Sequence, residues 1–204
     1  MNCETEGAPV SYYWPPMQGR KDLRAILAHH EAGHLCVSLG FERGEGSDLV
    51  ATLSESDPET GDCEGACRPM AGDGDIHHAG VNRDERRDQV TKIERGGGVE
   101  YRGHAMLRGC ISAAGIASEA LYLGVSERVR GLPARLSAHG DVDGMTLGAM
   151  AEWAYPDAGR NRFALAAYEA ALELLREDWE WVQRVAREIE LEGHCTGERA
   201  RALR

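Results

Sequence analysis

The sequence predicts a mainly α (α+β) domain, helical throughout except for a small strand region between its first and second helices. Apolar residues recur at helical spacing in four long stretches, and a run rich in Gly, Asp and Ser with short apolar patches interrupts them after the first. With 204 residues, 42% hydrophobic and 28% charged, the chain has enough apolar surface to bury a core without disulfides.

Residues 1–20 read as an N-terminal arm, and residues 21–204 as the domain proper. Tyr12, Tyr13, Trp14, Pro15 and Pro16 are apolar but carry no periodicity. The first helix opens at Asp22, a natural N-cap. It repeats Leu23, Ile26, Leu27, His30, His34 and Val37 along one side and is expected to stop at Gly40. From Phe41 to Gly98 patches such as Leu49 to Leu53 predict one or two strands and a long loop, with 70–98 polar, glycine-rich and expected to be mobile. A second helix over Tyr101 to Leu123 is rich in Ala, Gly and Ser, small residues that permit close approach to a neighbour, and Gly124 closes it. A third begins near Gly140 and Asp141 and stops at Pro156. From Arg160 to Glu192 one apolar stripe runs from Phe163 to Ile189 with Glu and Arg opposite, and Thr196 with Gly197 opens a last helical turn.

Charge narrows the partners. The net charge of −11, from 23 basic and 34 acidic side chains, disfavours nucleic acid, whose phosphates are bound by clustered Lys and Arg. No apolar run approaches the roughly 20 residues that span a bilayer, so no membrane association is expected. The first thirty residues lack the basic and apolar blocks of a secretory signal, and the six cysteines read as reduced thiols, which predicts a cytoplasmic protein.

The chemistry lies in the first helix. His30-Glu31-Ala32-Gly33-His34 is an H-E-x-x-H motif in a helical context. Residues four apart share a helical face, so the two imidazoles can grip one zinc ion while Glu31, rotated about 100° from His30, reaches a water on the metal's open side. Zinc lowers the pKa of such a water to about 7, and the carboxylate accepts its proton as the hydroxide attacks a carbonyl. The alternative is a histidine pair on a solvated face. Gly33 weighs against that, because glycine inside a helix costs about 1 kcal/mol relative to alanine and marks close packing or a site.

A catalytic zinc has three protein ligands and an open position. A metzincin extension is ruled out, because Val37 and Gly40 stand where it needs glycine and histidine. Glu119 in the second helix and Asp141 at the start of the third compete for the place, with Asp143 and His139 as outsiders and Asp141 open to a plain N-cap role. Cys63 and Cys67, with His77 and His78 nearby, could host a second zinc, although ordinary thiols are the simpler reading. Cys36 and Cys110 read as core, as do Trp153, Trp179 and Trp181, and His29 points to another face.

Ala28-His29-His30-Glu31-Ala32-Gly33-His34 followed by Leu35-Cys36-Val37 resembles the A-x-H-E-A-G-H-A-x-V helix of the FtsH-type zinc metallopeptidases. Ala114 to Gly124 is similar to that family's G-G-R-x-A-E-E-x-x-F-G segment, and Gly140-Asp141-Val142 with Met145-Thr146 and Ala149 resembles its D-L-x-x-A-T-x-x-A segment, in the same order. The resemblance spans about Asp22 to Leu203, strong at the zinc helix and weak from Phe41 to Gly98. It implies Asp141 as the third zinc ligand and a supporting position for Glu119. Ile116 stands where the family has arginine, and the sequence holds no G-x-x-x-x-G-K-[ST] phosphate loop.

The expectation is therefore a free-standing, ATP-independent zinc metalloendopeptidase with one Zn2+ per chain, held by His30, His34 and Asp141 with Glu31 as general base. Its substrates would be peptides or unfolded protein segments. The resemblance also implies a homo-oligomer, since the family forms rings, and a separate unfoldase is a further expected partner. The competing reading is a catalytically silent, metal-holding binding module of the same architecture.

Overall fold

A computed structural model describes residues 10–11, 22–41, 49–57, 62–69, 98–126, 132–133, 142–154 and 160–204. Most of the arm, residues 70–97, His139 and Asp141 lie outside the described residues. Within them the order is β1 (Val10–Ser11), α1 (Leu23–Phe41), β2 (Leu49–Asp57), β3 (Asp62–Pro69), α2 (Gly98–Tyr122), β4 (Leu132–Pro133), α3 (Val142–Ala154), α4 (Arg160–Glu177), α5 (Trp179–Glu192), β5 (His194–Thr196) and α6 (Gly197–Ala202). The mainly helical architecture with a small strand region between the first two helices is as the sequence predicts, and β5 from the C-terminal end completes a three-stranded antiparallel sheet.

Helix α1 is the axis of the molecule. It packs against α2, against α5 and against β2 and β3, and Ile26, Ala28, Ala32 and Leu35 on it are fully buried. Small residues set the α1–α2 distance. A Cβ on Gly33 would lie 2.5 Å from the Ala114 carbonyl oxygen and 2.7 Å from the Ser118 Cβ, so only glycine permits this approach. Helix α2 then carries α3 and α4 on its other sides.

The sheet order is β3-β2-β5. Cys67, Ala51 and Cys195 stand in one register row, all buried against the helical layer. A two-residue parallel ladder joins β1 to β4.

Several boundaries differ from the sequence expectations, each for a local reason. Helix α1 runs one residue past Gly40, which lacks the left-handed backbone that would end it. Gly124 does end α2: at φ 63° it lets Val125 N–H donate to the Ala120 carbonyl (3.0 Å), a bond that ties off the last turn. Helix α3 starts at Val142 and ends at Ala154, inside the predicted span. The long C-terminal stripe is broken into α4 and α5 at Asp178, where φ −116° and ψ 26° depart from the helix. Its carbonyl accepts from Trp181 and Val182 to start α5, and its Oδ2 accepts from Arg204 Nη2 at 2.6 Å. Strand β5 and the two-residue β1 and β4 are elements that the sequence did not predict. The predicted turn after it is present: the Thr196 hydroxyl accepts from Arg199 N–H (3.1 Å) and caps α6.

Candidate metal centre

Helix α1 points His30 and His34 at α2, and the two helices run so that His34 meets Ile111 while His30 meets Glu119. The Ile111 carbonyl can only accept, so His34 Nδ1 is the protonated nitrogen and donates to it at 2.7 Å. His30 Nδ1–H donates to Glu119 Oε1, also at 2.7 Å, and Glu119 is fully buried. Both bonds fix the tautomer that leaves Nε2 with its lone pair, which is the arrangement that ligand histidines adopt.

The two Nε2 atoms lie 3.0 Å apart, and Asp143 Oδ2, from the first turn of α3, lies 3.3 Å from each. Donors placed tetrahedrally at about 2.0–2.1 Å from one ion are roughly 3.3 Å from one another, so this triangle has the dimensions of three ligands on one centre. Among the described residues, His30, His34 and Asp143 are the group that could hold a metal ion. Gly115 makes room for it. A Cβ there would lie 2.5 Å from both His34 Nε2 and His30 Cε1, in the space that an ion would need. The donor set, two imidazoles and a carboxylate, suits zinc and its first-row neighbours rather than calcium or magnesium.

Electrostatics agree with the geometry. Burial works to lower the pKa of His30, yet its hydrogen bonds to Asp143 and Glu119 hold it well above the ordinary 6.5. Burial works the same way on His34, and the charge of Asp143 lifts it above 6.5. Burial would raise Asp143, but the facing imidazoles outweigh it and keep the carboxyl far below the usual carboxylate range. Without metal, the centre is a carboxylate holding two proton-hungry imidazoles, which a divalent cation can replace.

Glu31 is buried on the neighbouring face of α1, where β3 passes over it: a Cβ on Gly65 would lie 2.8 Å from the Glu31 Cδ. The sheet thus covers the carboxylate directly.

The structure therefore brings together His30, Glu31 and His34 and gives Glu119 its supporting contact. The carboxylate that it places between the histidines is Asp143, which the sequence reading set aside. Asp141, the expected third ligand, lies outside the described residues. The available signal was the position of Asp143 in the first turn of a helix, but Asp141 two residues earlier offered the same chemistry.

The remaining candidates separate cleanly. His29 stacks on Tyr122 at 4.1 Å and donates from Nδ1 to the Ala25 carbonyl (2.7 Å), and burial keeps its pKa below 6.5. Cys36, Cys67 and Cys110 are buried thiols, and Trp181 is buried with its indole N–H on the Ala200 carbonyl (2.7 Å). The side chains of Cys63 and Trp153, and residues His77 and His78, lie outside the described residues. No helix is long and apolar enough to cross a membrane among the described residues. No family model matches the sequence, and no curated protein matches it.

Proposed function

We propose that the chain is a zinc metallopeptidase of the FtsH type that works without ATP on peptides or unfolded protein segments. The observation that carries this reading is the convergence of His30 Nε2, His34 Nε2 and Asp143 Oδ2 within 3.3 Å of one another, with the buried Glu31 on the same helix. One zinc ion held there by His30, His34 and Asp143 would lower the pKa of a bound water to about 7 and polarise a peptide carbonyl. Glu31 takes the proton of the attacking water at a carboxylate oxygen and delivers it to the leaving amine nitrogen. Glu119 and the Ile111 carbonyl hold the two imidazoles in the required tautomer and orientation. A structural zinc site would leave Glu31 without a task.

Glu31→Gln tests the reading. The variant is expected to keep about one zinc per chain and the wild-type circular dichroism while losing peptide hydrolysis by about 10²–10⁴, the usual contribution of a positioned base. Hydrolysis unchanged in Glu31→Gln would remove Glu31 from the mechanism. A wild-type protein that binds zinc and cleaves no unstructured peptide would be the silent binding module instead.

A further inference from the structure

We propose that the groove between α2 and α4, bordered by Phe41, docks an apolar peptide segment flanked by Lys or Arg. This substrate class rests on the peptidase reading. The groove is lined by Phe41, Met106, Leu107, Cys110 and Leu174 with Glu173 and Glu177, and its cavity volume is about 580 Å³. That lies within the roughly 300–1,000 Å³ that takes a ligand of several side chains. A second cavity of about 220 Å³ shares Phe41, Leu174 and Glu177 and extends it.

Two observations single this groove out. Three large apolar side chains stand exposed among the described residues, and two of them meet here: Phe41 at 40% and Leu174 at 37%, with Leu191 elsewhere. Soluble surfaces rarely gather such residues without a partner. The charge around them is of one sign. Glu173 and Glu177 are exposed at the groove, and among the described residues no Lys or Arg lines it. Arg204 lines the adjoining cavity, but its guanidinium is committed to Asp178 at 2.6 Å. An apolar floor with an acidic rim complements an apolar segment with basic flanks.

The position relative to the metal centre gives the groove a use. Phe41 follows His34 by seven residues, two turns or about 10 Å further along the same side of α1. Cys110 precedes Ile111, whose carbonyl holds His34. Groove and centre thus both border α1 and α2, the groove at Phe41 and Cys110 and the centre at His34 and Ile111.

The test is fluorescence anisotropy on the full chain in the presence of a chelator, so that nothing is cleaved. The probes are labelled peptides of about twelve residues with a Leu/Phe centre and either Lys or Glu flanks. The Lys-flanked peptide is expected to bind at least about tenfold more tightly, to weaken in salt and to weaken about tenfold on Leu174→Ser. Binding should persist in Leu191→Ser. The double variant Glu173→Lys/Glu177→Lys should reverse the preference, which an unfolded protein could not do. Equal binding of both peptides, or binding indifferent to Leu174→Ser, would overturn the proposal. So would a wild-type dimer in sedimentation that Leu174→Ser splits, because a second copy would then own the groove. Intact docking with no hydrolysis under zinc would overturn the peptidase reading alone.

Discussion

At the scale of single residues, the third ligand separates the two routes to this site. Family-like spacing points to Asp141, whereas packing puts Asp143 Oδ2 3.3 Å from both Nε2 atoms. Asp143→Ala is expected to lose the capacity for zinc proposed for the wild-type centre, and Asp141→Ala to keep it, as read by elemental analysis after zinc loading. The reverse result would return the ligand to Asp141. The two histidines and Glu31 were legible because i, i+4 spacing on a helix dictates a shared face whatever the tertiary context. Asp143 was not, because two aspartates two residues apart near a helix start offer the same chemistry, and the placement of Asp143 beside the histidines comes from the docking of α3 on α2. Gly115 was equally silent: its importance lies in what its missing side chain would touch. Gly115→Ala keeps all three donor residues but should abolish metal uptake, since the new Cβ would lie 2.5 Å from His34 Nε2 and push the imidazoles apart. Normal zinc content in that variant would show that the ion sits elsewhere.

At the scale of elements, the decisive contact is α1 against α2. Gly33→Ala would drive a methyl into the Ala114 carbonyl and Ser118, and overpacking of this kind costs about 1–3 kcal/mol. Melting should fall by about 2–12 °C, at roughly 2–4 °C per kcal/mol for a chain of this length, and zinc affinity should fall with it, because the same seam holds His30 on Glu119 and His34 on Ile111. Calorimetry with and without zinc would show both, and an unchanged melting temperature would mean that the helices are free to separate. Helices with a strong apolar stripe were readable from sequence, but their interruptions were not. The stripe from Phe163 to Ile189 continues across Asp178, and only the folded chain shows that the backbone turns there. Strand β5 was hidden for the opposite reason. His194–Thr196 has no strand pattern of its own and is extended because β2 offers Val50, Ala51 and Thr52 as partners.

At the scale of the whole molecule, the metal-free centre makes stability depend on pH in a defined direction. His30 and His34 have folded pKa values above 6.5, so the stability they confer is present below about 6.5 and is lost as pH rises through the raised values. Asp143, held low, confers stability above about 4 that is lost only as pH falls through its folded value. With chelator present, the melting temperature should therefore decline above about pH 6.5, and the decline should be shallower in Asp143→Asn, where the imidazoles lose their counter-charge. With zinc, the increase in melting temperature should grow over the same range, because the ligating imidazoles must be neutral. Equal pH slopes for wild type and Asp143→Asn would mean that the three groups do not interact.

The pairing of β2 with β5 also has a consequence for how the chain is made. Thr52 pairs with His194, about 140 residues later, so at roughly 5–20 residues per second β2 waits on the order of 7–30 s of synthesis before its third strand emerges. Until then the hairpin that covers Glu31 presents a free edge, the kind of surface on which nascent chains mispair. The third strand of the sheet is thus supplied last, and the open edge of β2 must stay unpaired until His194–Thr196 emerges.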